Sequence, residues 1–306
     1  RKGVNFMCKI NPRVDFAFKL IFGNEQNKDI LISLLNSILE DYQTSPIEWI
    51  EILNPIGKKN YDKEKLVILD IRARDEKGEY YNIEMQITDQ HYYQKRALYY
   101  WSKLYCSQIE EGETYFDLRR TVSINILNFD AIVTGKNFHS VYRLKNMEDN
   151  IELTNQIEVH FIELKKFSKD LPDLKRTLDR WIYFLKHAEK FSEKSLPDPL
   201  KEVKSIEKAS KVLNKISLNR DQREIYEARL KMLRDEGGAL ETARIKGLEE
   251  GRKEGIEEGI KKGETKGERK KAIATAKESL RIGLSNEVIS KITGLSVEEI
   301  KNLKNE

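Results

Sequence analysis

The sequence predicts an α/β protein: a mixed sheet flanked by helices, followed by an α-helical C-terminal extension. Apolar residues recur at helical spacing near the start and again over about residues 90–111. Five short runs between residues 47 and 163 are rich in β-branched and aromatic residues, and strand signals cease after Pro172. Adjacent strands joined by a hairpin, then a helical crossover, require antiparallel and parallel pairs in one sheet.

The elements follow in order. Asn11-Pro12 reads as an N-cap followed by proline at the first helical position, and Val14, Phe18, Ile21 and Phe22 form the stripe of a helix that Gly23 ends. A second helix over 27–40 buries Ile30, Leu31, Leu34, Leu35 and Ile38. Strands are predicted at Ile47–Leu53, Lys65–Ala73, Tyr80–Thr88, Thr121–Asn128 and Glu158–Glu163. Between the third and fourth lies a helix from Gln90 to Glu111, whose Trp101, Leu104 and Tyr105 are assigned to the core. Helical segments follow Pro172, among them Asp173–Glu189 with Trp181, Phe184 and Leu185.

Composition shifts again at Gly237-Gly238, and glycine then recurs every fourth residue, at 247, 251, 255, 259, 263 and 267. Each glycine costs a helix ~1 kcal/mol relative to alanine, so the six together cost roughly 5–6 kcal/mol. Such a segment is either a helix that packs against a second copy or a partner, or a flexible tether. The last stretch reads helix, glycine turn, helix, with Ser285 and Ser296 as N-caps and Glu299 completing a capping box. It has the outline of a helix-turn-helix, but Glu298 and Glu299 oppose insertion into a DNA groove, which favours a protein-binding or oligomerisation module.

Composition narrows the partners. Charged residues make up 35% of the 306, but Lys+Arg 55 nearly balance Asp+Glu 51, so nucleic-acid contact must come from local patches. Cys8 and Cys106 are far apart, and neither a secretory leader nor a long apolar span is evident. The chain therefore reads as cytoplasmic, with reduced thiols and no membrane partner. His91, His139, His160 and His187 lack metal-ligand spacing, which argues against zinc.

The strongest functional signal is a pair of carboxylates. Three residues separate Asp70 from the polar stretch Arg74–Glu79 and four separate Glu84 from it, so a hairpin turning within it sets them face to face. Opposed β-carbons lie about 5 Å apart, and like charges so placed repel unless a cation lies between them. Hard oxygen ligands favour Mg²⁺ or Mn²⁺ as that cation. Gln86 shares the face of Glu84, while Ile83, Met85 and Ile87 point the other way. The alternative is a solvated face whose charges limit edge pairing. Leu66 and Ile68 on the face of Asp70 shift the balance toward a cleft.

The spacing Asp70-(x13)-Glu84-x-Gln86, in a strand-turn-strand preceded by helices, resembles the PD-(D/E)xK nuclease core, with glutamine where most members carry lysine. Asn11–Gly23, Asn82–Gln86 and Arg96–Tyr105 resemble motifs of the Rpn (recombination-promoting nuclease) or transposase-like branch of that superfamily. The resemblance extends through Trp181, Tyr226–Arg229 and the glycine-repeat tail. It implies a restriction-endonuclease-like fold and a metal-dependent DNA endonuclease linked to recombination, mobile elements or phage defence. By the same resemblance, Asp70 and Glu84 are metal ligands with the Met85 carbonyl, and Gln86 takes the place of the charged lysine. Lys19 or Arg96 then supplies the missing positive charge.

Asp15 is either a further acidic residue of that site or an i,i+4 partner of Lys19 on an exposed helix face. Arg96 and Tyr100, four apart on one helix face, either grip a substrate phosphate or are an ordinary surface charge and a core ring. The implied organisation is a nuclease core over 1–170, a helical extension packing on it over 171–240, and a glycine-repeat helix or tether with a terminal helical hairpin over 241–306. The C-terminal helices are expected to build a homo-oligomer. The rival reading is a non-catalytic DNA-binding or assembly protein that retains the fold, with Gln86 marking lost chemistry.

Overall fold

A computed structural model describes residues 10–54, 71–89, 92–191 and 195–304. Its six strands are β1 (Ile50–Ile52), β2 (Ile71–Asp75), β3 (Tyr80–Gln86), β4 (Thr121–Leu127), β5 (His139–Tyr142) and β6 (Ile157–Glu163). They form one sheet in the order β1-β2-β3-β4-β6-β5. β3, β4 and β6 are parallel in the middle, and antiparallel pairs close both ends. The parallel step from β3 to β4 needs a crossover, and α3 (Tyr93–Cys106) provides it. The mixed α/β sheet expected from the sequence is therefore the observed fold.

The β2–β3 hairpin has the expected register, with Ile71 opposite Ile83 and Arg74 opposite Tyr80. Its turn is set locally. The Asp75 carboxylate accepts from the backbone N–H of Lys77 and Glu79 at 2.9 and 2.8 Å, and Gly78 supplies the positive φ of 79°.

Strand alternation divides the sheet into two unlike faces. Ile71, Ala73, Ile83, Met85, Val122, Ile124 and Ile126 face α1 (Asp15–Phe22), α2 (Lys28–Leu39), α4 (Thr177–His187) and α6 (Lys204–Leu218) in one continuous core. Phe22 and Trp181 meet there with ring centroids 5.5 Å apart, so the helices beyond Pro172 share the core of the sheet. The opposite face lies under α3, with a smaller core of Tyr93, Ala97, Leu127, Phe129, Val159 and Phe161.

Several elements differ from expectation. α1 begins at Asp15, because Asn11 spends its side chain on a turn, accepting from the Arg13 backbone N–H at 2.9 Å. The helix does end at Gly23, where a β-carbon would come within 2.8 Å of the Lys19 carbonyl. β5 was not expected: its four residues carry no clear apolar alternation, and pairing with β6 creates the strand. α3 is shorter than predicted. Trp101 and Tyr105 are half-buried and stack on each other at 5.1 Å, and only Leu104 of the three assigned to the core is buried. Trp101 keeps its indole N–H on the carbonyl of Thr121, the first residue of β4, at 2.8 Å.

Residues up to Gly237 and from Gly238 onward form two compact units. The glycine repeat is helical, within α7 (Arg220–Arg281), and a β-carbon on any of its six glycines would meet nothing within 4 Å. α8 (Asn286–Thr293) and α9 (Val297–Lys304) meet through Gly294 at φ 72°. The expected capping box is present: Ser296 donates its backbone N–H to Glu299 at 2.9 Å and accepts from the Glu299 N–H at 3.2 Å. Ser285 occupies the N-cap of α8 without a side-chain hydrogen bond.

At the β5–β6 edge, histidines distant in sequence come together. Glu158, 1% exposed, accepts from Arg120 at 2.7 Å, from Arg143 Nε at 2.6 Å and from His160 Nε2 at 2.8 Å. His160 Nδ1 lies 2.9 Å from His139 Nε2. With both imidazoles neutral, one N–H points along each link toward Glu158. Burial works to raise the Glu158 pKa, but His160, Arg120 and Arg143 outweigh it and hold it down at about 2. Burial, with the neighbouring His160 and Arg176, pushes His139 down to about 4.

The folded state thus favours neutral His139 and ionised Glu158. The His139 contribution is complete above its ordinary pKa near 6.5 and is lost as pH falls toward about 4, and the Glu158 contribution is lost between about 4.5 and 2. Denaturant unfolding should show stability falling from pH 7 to pH 4 by on the order of 2 kcal/mol. His139→Gln should flatten that slope; an equally steep slope in the variant would remove His139 as its source.

Candidate active site

Glu84 sits in the middle of the sheet, on β3 between β2 and β4, and is only 4% exposed. A carboxylate there must be compensated by donors or cations. Tyr93, in the first turn of α3, directs its hydroxyl between Glu84 Oε2 at 3.2 Å and Asn125 Oδ1 at 3.1 Å. Asn125 stands beside Glu84 in the β3–β4 register, and its amide nitrogen donates to Ser123 Oγ and the His160 carbonyl, both at 3.1 Å, which turns its oxygen toward Tyr93. Burial, then the charge of Glu84, pushes the Tyr93 pKa well up, so the phenol remains a proton donor.

Arg96 is one turn further along α3. Its Nη2 lies 3.5 Å from Glu84 Oε2, a long contact in which charge matters more than hydrogen-bond geometry. The guanidinium is steadied by rings, 5.2 Å from the centroid of Tyr100 and 5.7 Å from that of Tyr93. Arg96 and Tyr100 do share the helix face expected of them, and that face adjoins Glu84.

The remaining residues divide. Gln86 shares the Glu84 face, is half-buried, and donates its amide to the Thr88 carbonyl at 3.3 Å. Met85 places its side chain in the main core. Asp15 and Lys19 belong to α1, on the opposite face of the sheet, and no hydrogen bond or ion pair among the described residues joins Asp15 to Glu84. Burial raises the Asp15 pKa, opposed by the Phe16 N–H and the charges of Arg229 and Lys19. Lys19 is 7% exposed, so the helix face that would carry an exposed Asp15–Lys19 pair is not exposed. Asp70 lies outside the described residues.

The opening motif has a visible role in assembly. Arg13 donates to Asn128 Oδ1 at 3.1 Å and pairs with Glu189 at 3.1 Å, and the Asn11 backbone N–H donates to the Tyr226 hydroxyl at 3.0 Å. The Asn128 N–H in turn donates to the Gln86 carbonyl at 2.9 Å. The first motif and the Tyr226 segment therefore meet at the end of β3 that carries Gln86.

Four residues on the Glu84 side escaped sequence reasoning. Tyr93 precedes Arg96 by three and Tyr100 by seven, the spacing of one helix face. Ser123 and Asn125 interrupt an otherwise apolar strand at period two. Asn82, two residues before Glu84 on the same strand face, is 2% exposed, and among the described residues neither its amide oxygen nor its nitrogen finds a hydrogen-bond partner.

Among the described residues the oxygen groups gathered here are the Glu84 carboxylate, the Tyr93 phenol and the Asn125 amide oxygen, and this chemistry suits a hard divalent cation. No group of three or more His, Cys, Asp or Glu among the described residues is placed to hold a metal.

A mixed sheet that buries a carboxylate on its central hairpin, with an amide two residues on and a crossover helix above, defines a restriction-endonuclease-like nuclease fold. The chain belongs to the PD-(D/E)XK nuclease family transposases, which it matches over residues 12–243. The match stops short of the glycine repeat, so membership rests on the sheet and the helices packed on it rather than on the tail. No curated protein and no solved structure matches the chain. Among the described residues no helix is long and apolar enough to cross a membrane.

A buried amide with both ends unsatisfied costs a fold about 1–3 kcal/mol. Asn82→Leu, similar in volume and without polar atoms, should raise the thermal midpoint by a few degrees, an expected gain of ~1 kcal/mol. A lowered midpoint in differential scanning fluorimetry would show that the amide contributes to stability.

Proposed function

We propose that this protein is a divalent-metal-dependent DNA endonuclease that hydrolyses phosphodiester bonds. The observation that supports it most is Glu84: a buried carboxylate on a hairpin strand, oriented by Tyr93 and accompanied by a cation, in a family of nuclease fold. In this reading Asp70 and Glu84, with the Met85 carbonyl, hold Mg²⁺ or Mn²⁺. Bound there, the cation would lower the pKa of a coordinated water and offset charge on the phosphate.

The chain's own residues would do the rest. Tyr93, held protonated, fixes the Glu84 carboxylate so that it stays aimed as substrate arrives. Arg96 stands where a full positive charge can face the phosphate, which Gln86 as a neutral amide cannot offer. Tyr100 keeps the guanidinium oriented. Gln86 positions a water by hydrogen bonding. Asp15 and Lys19, across the sheet, act through the seating of α1.

Gln86 also favours the second reading, a non-catalytic DNA-binding or assembly protein, since the superfamily's lysine is absent. Purified protein should nick supercoiled plasmid with Mg²⁺ or Mn²⁺ and not in EDTA, and Asp70→Ala or Glu84→Gln should lower the rate on the order of 10³-fold or more. No metal-dependent cutting by the natural sequence, with DNA still bound in EDTA, would replace the nuclease with a binding protein.

Self-association is assigned to the C-terminal unit, whose helix leaves Leu240, Ile245, Leu248, Ile256 and Ile260 exposed. A chain ending at Gly237 retains the whole main core and should fold with a smaller assembly mass by light scattering. An unchanged number of copies per particle would place the contact elsewhere.

A further inference from the structure

α3 carries a second, solvent-facing stripe that the cleavage site does not use. Tyr92, immediately before the helix, then Lys95, Tyr99 and Lys103 follow at helical spacing, and all four are exposed, the two rings 61% each. The helix contains Lys95, Arg96 and Lys103 and no Asp or Glu. Neither Lys95 nor Lys103 has an ion-pair partner among the described residues. Two exposed rings here alternate with these two ammonium groups, a pairing of aromatic faces and positive charge on one side of a helix.

The stripe is also placed. Going round α3 from it, Arg96 and Tyr100 come next, and then Tyr93 on Glu84. A ligand lying along Tyr92–Lys103 therefore runs beside the guanidinium that faces the carboxylate. Seven residues of helix separate the two rings by about 10 Å, roughly three base steps of 3.4 Å along one strand.

We infer that the outer face of α3 is a track for an unpaired DNA strand, with bases stacked on Tyr92 and Tyr99 and phosphates held by Lys95 and Lys103, leading to the site at Glu84. Rings that accept base faces suit single strands, because in a duplex those faces are occupied by neighbouring base pairs. A polyanion matches a helix with three cations and no acid. This inference rests on the nuclease reading for its substrate, but not for its evidence.

The test is binding by the full-length chain in EDTA, where no cutting is required. Fluorescence anisotropy would compare a labelled single-stranded oligonucleotide with the blunt duplex of the same sequence. The natural sequence should prefer the single strand. Tyr92→Ala/Tyr99→Ala should weaken single-strand binding about tenfold or more while changing duplex binding less than about threefold. Tyr92→Phe/Tyr99→Phe should restore it. Lys95→Gln/Lys103→Gln should weaken binding and reduce the slope of log affinity against log salt by about one to two.

Unchanged single-strand affinity in the double alanine variant would overturn the track, as would a lower assembly mass in that variant, which would mark the face as a contact between copies. The two readings separate cleanly. If the natural sequence never cuts but the tyrosine pattern holds, the nuclease falls and the track stands; if it cuts and the alanine variant binds as before, the reverse is true.

Discussion

A carboxylate withdrawn from water in the middle of a sheet is costly unless donors or cations converge on it, and the arrangement around Glu84 follows from that requirement. The strand that holds it cannot tilt the side chain away, because β2 and β4 pair on both sides. Compensation must come from above, so α3 arrives with Tyr93 and Arg96 in its first turns and with Asn125 of β4 completing the shared hydrogen bond. The crossover that parallel strands need for topological reasons thereby becomes the lid of the site.

The same sheet separates stability from chemistry. One face is nearly all aliphatic and aromatic, and it collects α1, α2, α4, α6 and the start of α7 into one core. The other face holds Asn82, Glu84, Gln86, Ser123 and Asn125 under a single helix. Polar residues on that face are tolerated because the first face supplies the apolar burial. This division also explains why the opening motif does not touch Glu84: its apolar residues fill the main core, and its polar ones, Asn11 and Arg13, tie the chain to Tyr226, Asn128 and Glu189.

At the far edge, Glu158 faces the problem of Glu84 but is solved differently. Two arginines and a histidine surround it, so it is a structural charge with its partners already supplied. Glu84, among the described residues, meets the Tyr93 phenol and the Arg96 guanidinium. Glu158 lies at an edge pair among structural partners, whereas Glu84 lies on a central strand face with Asn82, Gln86 and Asn125 beneath the crossover helix.

Much of this was legible in the chain. Period-two runs and helical stripes located β3, β4, β6, α2 and α4, and a hairpin set to oppose residues 70 and 84 has the register in which Ile71 meets Ile83, because local turn chemistry and side-chain alternation are properties of short segments. The capping box at Ser296 was legible for the same reason. Other features were not local. β5 exists only because β6 offers it an edge, and His139 meets His160 only through that pairing. Tyr93 and Asn125 become partners of Glu84 only when the crossover brings them over it, and α1, placed in the site by motif, packs on the other face. The sequence by itself determined which residues must be buried and with what period. Only the tertiary structure decided which polar groups share a space, since the cost of burying charge is set by neighbours that the linear order does not reveal.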